Sequence, residues 1–297
     1  MANETDSSLD LPPAWKSLNF EEFTGILMVV GAPDVGKSTF ARYLFQETCR
    51  EPGTIAFLDG DPGQASLGPP ATLTAALSRN VRDGFPPRGA RWRHFVGSTS
   101  PTGHMLPMLV GAARLTDTVL KAGARAVVYD TNGLVDPDRG GMHLKQAEVD
   151  LLRPTTLFCL QRHQELRSIL EPLRRMNHLR VVDLPVSDAV RTRSSAARKA
   201  RRTVNFKSHF QDGYSISFSW TRFAVFPSPF FHRHQLIAFV NSAGHTLGLG
   251  IVTEFDTRSR EISVFSSIPS LDPIESVRLG NVTVDPDTFE DRLIERK

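Results

Sequence analysis

The sequence predicts an α/β fold, in which a mostly parallel sheet covered by helices on both faces is followed by a small β-rich domain. One observation is an apolar run at residues 26–30 that leads through a glycine loop into a helical pattern. Short apolar runs then alternate with helical patterns up to about residue 183, which is the order of right-handed βαβ units. From about Gly213 apolar and polar residues alternate strictly, and this period indicates half-buried strands.

Length and composition limit the class of protein. At 297 residues with 40% hydrophobic content, the chain can bury a sizeable core. We expect a tail at residues 1–22, an α/β domain at 23–210 and a β-rich domain at 211–297. The apolar runs are only as long as strands and the acidic N-terminus has no apolar signal region, so we expect a soluble, cytoplasmic protein with no membrane span. Cys49 and Cys159 are the only cysteines, which predicts reduced, packed thiols and no zinc site.

The glycine loop, residues 31–39, reads Gly-Ala-Pro-Asp-Val-Gly-Lys-Ser-Thr and satisfies the pattern G-x-x-x-x-G-K-[ST] between a strand and a helix. In P-loop NTPases this loop cradles phosphates with backbone N–H groups, its lysine reaches the β/γ oxygens and its serine holds Mg²⁺. The alternative is a chance glycine turn before a helix. The predicted nucleotide-binding residues are Gly31, Ala32, Pro33, Asp34, Val35, Gly36, Lys37, Ser38 and Thr39, with Thr39 as a support on the helix side.

Two aspartates follow the next predicted strand, residues 54–58. Asp59 and Asp61 are two positions apart, so on a strand both side chains point to the same face and converge on the phosphates. One carboxylate would hold Mg²⁺ and the other would accept a proton from a nucleophilic hydroxyl. The alternative is a polar turn that closes the strand, which is natural for Asp-Pro-Gly.

A surface excursion is predicted at residues 79–93, where arginines surround Phe85. They are Arg79, Arg82, Arg88, Arg91 and Arg93. Such arginines are most often solvated, and the alternative is contact with phosphates. A short strand at residues 94–97 then leads into the hydroxyl loop, residues 98–103, whose Ser98, Thr99 and Ser100 are either phosphate donors or caps of the helix predicted at 105–120.

Another buried strand, residues 126–129, ends in Asp130-Thr131-Asn132-Gly133, which should face the nucleotide because ligands of parallel sheets bind at the carboxyl ends of strands. Helical and strand patterns alternate after it, at 143–152, 156–160, 164–176 and 179–183. His143 and His163 have no ligand spacing and are interpreted as structural or solvated.

Residues 188–210, called the lid below, include a basic, helix-compatible run. Arg198 and Arg202 are four positions apart and project from one helix face. A basic helix is usually a solvated face, and the alternative is a lid that closes over phosphates and supplies transition-state charge. The β-rich end is predicted from strands at 214–220, 236–240, 248–254 and 261–265.

Five segments together resemble the polynucleotide 5′-hydroxyl kinases, which include the kinase subunit of eukaryotic pre-mRNA cleavage factor, the pre-rRNA-processing kinases and stand-alone prokaryotic relatives. They are the glycine loop, Asp-x-Asp-x-Gly-Gln at 59–64, Gly-Ser-Thr-Ser-Pro-Thr-Gly at 97–103, Asp-Thr-Asn-Gly-Leu-Val at 130–135 and the arginines of the lid. The similarity runs from about residue 25 to 210. Leu134 stands where some members have tryptophan, and only about two dozen residues precede the first strand, where eukaryotic members carry a folded domain.

The resemblance implies in-line transfer of the γ-phosphoryl group of ATP, GTP or another NTP to the 5′-hydroxyl of RNA or DNA, with Mg²⁺. The implied catalytic residues are Lys37, Asp61, Asp59, Arg198 and Arg202, with Asp61 as the favoured base. The implied metal ligands are Ser38, Asp59 and Asp61. The implied substrate-binding residues are Gln64, Thr99, Ser100, Arg193, Thr131 and Asn132.

Two other functions stay open on the sequence. A nucleotide-dependent switch ATPase or GTPase that binds RNA or protein would keep the glycine loop and Asp59 without needing Gln64, Thr99 and the lid arginines together. A small-molecule kinase would have a closed acceptor pocket, whereas the clustered arginines suit an open polyanion groove. Protein partners are not predicted.

Overall fold

Seven strands between residues 25 and 184 form the first sheet of the structure, a computed structural model that describes residues 11–78 and 84–294. They are β1 (Gly25–Gly31), β2 (Thr54–Gly60), β3 (Thr72–Ser78), β4 (Arg91–Phe95), β5 (Ala124–Thr131), β6 (Thr156–Leu160) and β7 (Arg180–Leu184). Their order across the sheet is β4-β3-β2-β5-β1-β6-β7. β2, β5, β1, β6 and β7 run parallel, while β3 and β4 add an antiparallel edge, so the mostly parallel sheet is confirmed.

Helices cover both faces of this sheet, as predicted. They are α1 (Pro13–Lys16), α2 (Lys37–Thr48), α3 (Met105–Lys121), α4 (Gly141–Leu152), α5 (Arg167–Leu173) and α6 (Ser195–His209). One face packs Met108, Leu115 and Val149 into a core under α3, α4 and α5. The opposite face packs Phe40 and Phe158 into a second core under α2. Burial on both faces explains why the central strands read as continuous apolar runs.

This part of the chain holds one strand that was not predicted and one segment that differs from the prediction. β3 was not predicted, because Thr72–Ser78 is rich in alanine and threonine and carries no strong apolar signal, although every residue in it is buried. Arg91 and Arg93 belong to β4 and not to a loop, and Arg91 donates from Nη2 to the carbonyl of Pro87 at 2.9 Å. Arg79 and Arg82 lie outside the described residues.

The segment before the first strand also differs from the predicted tail. Pro13–Lys16 forms α1, and Trp15 is 1% exposed. Its ring packs edge-on against Phe40 with centroids 5.0 Å apart, and its Nε1 donates to the carbonyl of Pro185 at 3.0 Å. A four-residue helix is too short to show a period, so only tertiary packing reveals it. Residues 1–10 lie outside the described residues.

The second sheet, residues 214–293, is the predicted β-rich end. Its strands are β8 (Tyr214–Ser219), β9 (Ala224–Phe226), β10 (Gln235–Val240), β11 (Thr246–Asp256), β12 (Glu261–Ser266), β13 (Ser276–Val284) and β14 (Asp291–Leu293). The antiparallel order is β14-β13-β10-β11-β12-β8, and β9 pairs with β13 in parallel. β9, β13 and β14 were not predicted. β13 contains Arg278, Gly280 and Asn281, which break the apolar pattern of a strand.

Contacts between the two sheets place the lid and the hydroxyl loop. Phe206 of α6 and Phe210, which directly follows that helix, enter the core of the second sheet beside Leu236 and Val282. The backbone N–H of Asn281 donates to the carbonyl of Gly97 at 2.7 Å, just before the hydroxyl loop. The second sheet therefore supports two of the segments that the sequence assigns to substrate binding.

The two cysteines lie in the two hydrophobic cores that cover the first sheet. Cys49 and Cys159 are both buried and are not joined by a disulfide, as predicted. Within residues 11–78 and 84–294, none of the helices combines the length and apolar character needed to cross a bilayer.

Candidate active site

A cavity of about 980 Å³ opens at the carboxyl ends of β1, β2 and β5. Its wall is formed by the glycine loop, the segments that follow β2 and β5, the hydroxyl loop and the lid. Among the wall residues are Lys37, Ser38, Asp61, Gln64, Thr99, Thr131, Asn132, Arg193, Arg198, Arg201 and Arg202. Most of the predicted site residues therefore lie together at the carboxyl ends of the parallel strands, where such sheets bind their ligands.

The glycine loop has the backbone of a phosphate cradle. Gly36, with φ 89°, precedes α2 in the left-handed region, and Asp34 has φ 55°. A Cβ on Gly31 would lie 2.5 Å from the carbonyl oxygen of Leu160, so only glycine fits where β1 meets β6. α2 begins at Lys37 without a side-chain cap, which leaves its first N–H groups available for an anion.

Lys37 is held inside the loop. Its Nζ donates to the carbonyl of Ala32 at 2.7 Å, and the residue is 7% exposed. Burial lowers the pKa of Lys37 to about 8, and the carboxylates of Asp130 and Asp61 oppose that shift. The ammonium group therefore depends on nearby negative charge, which phosphates would also supply.

Asp130, at the end of β5, is the carboxylate next to Ser38. It is 2% exposed and accepts a hydrogen bond from the Ser38 hydroxyl. Burial, with the negative charge of Asp59 as the next cause, raises the pKa of Asp130 to about 7. Its Oδ1 is buried and has no hydrogen-bond partner among the described residues. The sequence named the Asp130 segment but not this carboxylate as a metal candidate, although an acid directly after a buried strand was the signal used for Asp59.

The position of Asp59 differs from the prediction that the side chains of Asp59 and Asp61 both converge on the phosphates. β2 ends at Gly60, and Asp59 is 2% exposed. Its Oδ2 accepts from the backbone N–H and the hydroxyl of Ser66 and from the N–H of Leu67, and its Oδ1 accepts from the N–H of Asp61. The Asp59 carboxylate therefore organises the chain that follows β2, while Asp61 forms the cavity wall.

Asp61 and Gln64 face the cavity from that chain. Oδ1 of Asp61 accepts from the N–H groups of Gly63 at 2.8 Å and Gln64 at 2.9 Å. Oδ2 of Asp61 takes part in no hydrogen bond within the described residues. The Gln64 amide donates to the carbonyls of Gly63 and Arg198, and its Oε1 is buried without a partner there.

Thr131 and Asn132 both line the cavity, and both have local partners. The Thr131 hydroxyl donates to the carbonyl of Val29 at 2.8 Å and so links β5 to β1. Oδ1 of Asn132 accepts from the N–H of Leu134 at 3.0 Å, whereas its Nδ2 is buried and unpartnered among the described residues. Asn132 is therefore the one of this pair with a side-chain donor available to a ligand.

The hydroxyl loop contributes Thr99 to the wall. Its hydroxyl donates to Oδ2 of Asp291 in β14 at 3.1 Å. Ser98 is fully buried and its Oγ accepts from the N–H of Ser100 at 3.1 Å, so it shapes the loop. Ser100 is half-buried and lies beside the wall without forming part of it.

The first half of the lid helix is held by an N-terminal cap and two ion pairs. Ser194 caps α6 by accepting from the N–H of Ala197 at 3.1 Å. Arg198 forms an ion pair with Asp34 of the glycine loop, whose Oδ2 also accepts from the N–H of Arg193 at 3.2 Å. Arg202, one turn later, donates from Nε to both carboxylate oxygens of Asp291, at 2.9 and 3.0 Å.

Positive charge dominates the cavity. Arg201, which the sequence analysis did not select, lines it beside Arg42 of α2. Burial, then the charges of Arg193 and Arg42, lowers the pKa of Arg201. Among the described residues, seven arginines and Lys37 line the wall against three aspartates, Asp34, Asp61 and Asp136. This excess of positive charge favours a polyanionic ligand. Three arginines of the segment 79–93 lie within the described residues, and none of them lines this wall: Arg88, Arg91 and Arg93.

The residues present fit a magnesium ion held jointly with phosphates. The unpartnered, buried Oδ1 of Asp130 lies beside the Ser38 hydroxyl, and both are the hard oxygen donors that Mg²⁺ prefers. No group of three or more His, Cys, Asp or Glu that suits a metal occurs within residues 11–78 and 84–294. That agrees with Mg²⁺ chemistry, because this ion keeps several waters and takes only one or two protein ligands beside phosphates.

Comparison with known proteins identifies the family. A family model described as mRNA cleavage and polyadenylation factor CLP1 P-loop matches residues 31–212, more than half of the chain. The chain belongs to the CLP1 P-loop family. In this CLP1-family chain the matched range includes the glycine loop, the 59–64 segment, the hydroxyl loop and the lid, whereas Asp291 lies beyond it.

Relatives of the CLP1-family chain are named polyribonucleotide 5′-hydroxyl-kinases. One from Methanocaldococcus jannaschii is 30% identical over 65% of this chain and 53% of that protein. One from Pyrococcus furiosus is 22% identical over 91% of each chain. The chain therefore spans about half the length of the first relative and most of the second. A protein CLP1 homolog of Anopheles gambiae is 27% identical over 62% of this chain and 45% of that protein.

Solved structures extend the likeness across both sheets. A structure of the wild-type Clp1p–Pcf11p complex has a TM-score of 0.65 at 14% identity and covers 88% of this chain and 75% of that chain. A second, of an interface between Pcf11p and Clp1p, has a TM-score of 0.66 at 13% identity and covers 91% and 78%. These likenesses confirm the CLP1 fold.

Proposed function

We propose that this CLP1-family chain is a polynucleotide 5′-hydroxyl kinase, which transfers the γ-phosphate of ATP or another NTP to the 5′-hydroxyl end of RNA or DNA. The observation that carries the proposal is the position of Asp61. One of its oxygens is fixed by two N–H groups, the other takes part in no hydrogen bond within the described residues, and the residue faces the same cavity as the glycine loop. A proton acceptor opposite a phosphate cradle is the arrangement that phosphoryl transfer to a hydroxyl requires.

The nucleotide would bind in the glycine loop. Residues 31–39 and the first turn of α2 present N–H groups to the phosphates, and Lys37 neutralises the β/γ oxygens. Mg²⁺ would be held by Ser38, with Asp130 rather than Asp59 as the nearest carboxylate, because the Asp59 oxygens are occupied by Ser66, Leu67 and Asp61. The bound ion would neutralise charge on the transferred group.

The acceptor strand would enter between the 59–64 segment and the hydroxyl loop. Asp61 would accept the proton of the 5′-hydroxyl as the bond to phosphorus forms. Gln64, Asn132 and the backbone around Thr99 and Ser100 would position the terminal nucleotide. The cavity arginines would hold its phosphodiesters, which explains why their number exceeds what an NTP alone needs.

The lid would supply positive charge over the reaction. Arg198 already contacts the glycine loop through Asp34, so it lies on the nucleotide side of the cavity. Arg202 reaches the hydroxyl loop through Asp291, so it lies on the acceptor side. Together they would bracket the group in transfer, with Arg193 nearby, and neutralise its developing charge. We assign residues 23–210 to the kinase domain, with the lid at its end, and 211–297 to the β-rich domain.

The names of the relatives support this function. The archaeal proteins from M. jannaschii and P. furiosus are both polyribonucleotide 5′-hydroxyl-kinases by name, and the second matches over 91% of each chain. RNA is therefore the acceptor to test first.

The test is transfer of labelled γ-phosphate from ATP with Mg²⁺ to a 5′-hydroxyl oligoribonucleotide and to its DNA counterpart. Lys37→Ala, Asp61→Asn and Arg198→Ala should each lower transfer about 100-fold or more, since each removes a charge or a base acting in the transition state. Arg167→Ala is a matched control, because Arg167 pairs with Glu171 on an exposed helix face. Label at the 5′ end that is lost in the three variants supports the kinase. NTP hydrolysis without transfer to either oligonucleotide would refute it and favour a switch ATPase.

A further inference from the structure

Asp291 connects two segments of the candidate active site from outside the matched family range. It begins β14, which is only three residues long, and its side chain is 2% exposed. One oxygen accepts from Nε of Arg202, and the other accepts from both Nε of Arg202 and the hydroxyl of Thr99. A single buried carboxylate therefore holds the lid and the hydroxyl loop together.

The hydrogen bonds from Arg202 to Asp291 leave the two Nη groups of its guanidinium available. Asp291 binds only Nε, and neither Nη of Arg202 has a hydrogen bond within the described residues. The Arg202 side chain is 20% exposed and lines the cavity. A guanidinium group gripped at Nε presents its two Nη groups as a fork, which suits phosphate oxygens.

The hydrogen bond from Thr99 to Asp291 limits what the Thr99 hydroxyl can offer a ligand. A threonine hydroxyl has one proton, and here Asp291 accepts it. The Thr99 side chain thus holds the hydroxyl loop against the second sheet, and it meets a ligand as an acceptor or through the neighbouring backbone. Asn281, in the adjacent strand, supports the same loop by donating to the carbonyl of Gly97 at 2.7 Å.

Glu290, which precedes Asp291, forms an ion pair that can be compared with the Asp291–Arg202 pair. Glu290 pairs with Lys199 of α6 at 2.6 Å, but these side chains are 47% and 42% exposed. Both pairs join the same short segment to the same helix. Exposed pairs of this kind contribute little, whereas loss of one partner from a buried pair leaves the other charge uncompensated.

We propose that Asp291 is a positioning residue of the active site, which aims Arg202 at the transferred phosphate and keeps the hydroxyl loop in register with the lid. The role rests on the proposed kinase function. It makes the second sheet part of the active site, since the residue that orients the lid arginine comes from β14. The reason to expect a large effect is that misplacing a transition-state group by about 1 Å costs on the order of 100-fold in rate.

The test compares Asp291→Asn, Asp291→Ala, Arg202→Ala and the double variant Asp291→Ala/Arg202→Ala with Glu290→Gln as the control. We expect Asp291→Asn to lower kcat about 100-fold, with KM for ATP unchanged within about twofold, because the ground-state nucleotide contacts remain. The double variant should be no slower than the more impaired single variant, because both changes remove the same interaction. Glu290→Gln should stay within about twofold of the wild type.

A second measurement does not depend on catalysis. Amide hydrogen exchange in the absence of nucleotide should accelerate in both the lid and the hydroxyl loop of Asp291→Asn, and in neither for Glu290→Gln. Unchanged kcat in Asp291→Asn, or rate losses that multiply in the double variant, would overturn the positioning role. If the wild type transfers no phosphate, the kinase proposal fails by itself, and unchanged exchange in Asp291→Asn would then separately overturn the link between lid and loop.

Discussion

Replacing Asp130 with asparagine should stabilise the fold and abolish phosphoryl transfer. In the folded protein, burial raises the pKa of Asp130 from an ordinary 3.8 to about 7. Each pKa unit corresponds to about 1.4 kcal/mol, so ionising this carboxyl at neutral pH costs the folded state about 4 kcal/mol. Asparagine keeps the shape and the acceptor for Ser38 and removes that cost.

This cost is already net of two favourable contacts of the ionised carboxyl. The hydroxyl of Ser38 and the charge of Lys37 both lower the pKa of Asp130, so their loss is included in the shift to about 7. The expected net stabilisation of the variant at pH 7 is therefore at most about 4 kcal/mol. Because the unfolded carboxyl ionises near pH 3.8 and the folded one near 7, the wild type loses this stability as pH rises through that window. The advantage of the variant should therefore be small at pH 4 and full at pH 7.

The assay is urea denaturation in EDTA, without nucleotide, at pH 4, 5.5 and 7, together with the labelled-phosphate assay. Asp117→Asn is a suitable control, because Asp117 pairs with Lys121 at an exposed site and should change neither quantity appreciably. An Asp130→Asn variant that is less stable than the wild type at pH 7 would refute the cost assigned to the buried charge. A variant that retains full transfer would refute the assignment of Asp130 to metal binding. A stabilising but inactivating substitution is the mark of a group kept for function.

Three further predictions use single substitutions. Ser38→Ala should raise the Mg²⁺ concentration for half-maximal transfer about 10-fold, because one oxygen ligand is lost; an unchanged Mg²⁺ titration would contradict this. Asp34→Asn keeps a residue type that tolerates φ 55° but weakens the ion pair to Arg198, so lid amides should exchange several-fold faster, and unaltered exchange would count against the anchor. Burial lowers the pKa of His94 to about 4, so between pH 7 and 5 the unfolded state binds a proton at this histidine, near pH 6.5, and the folded state does not. The wild type therefore loses about 2 kcal/mol of unfolding free energy over that range because of His94, and His94→Gln should not show this loss. Denaturant midpoints at the two pH values measure it, with the exposed His163→Gln as control.

Residues close together in sequence account for most of what the sequence revealed. The glycine loop, the helix after it and the 59–64 segment were predicted because their geometry depends on neighbours a few positions away, and the structure places the loop, Asp61 and Gln64 at one cavity. The apolar central strands were recognised for the same reason, since burial on both faces leaves a continuous apolar run. β3 and β13 were missed because alanine, threonine, glycine and arginine dilute that run.

The sequence by itself determined the α/β class, the CLP1-type order of motifs and the phosphate cradle at residues 31–39. Only the tertiary structure decided which carboxylate serves which group: Asp130 meets Ser38, Asp59 organises its own loop, and Asp291 meets both Arg202 and Thr99. The last two contacts span 89 and 192 positions of the chain. No local period or spacing encodes such pairs, because strand order and the packing of α6 on the second sheet bring them together, and a single buried carboxylate leaves no pattern in the sequence.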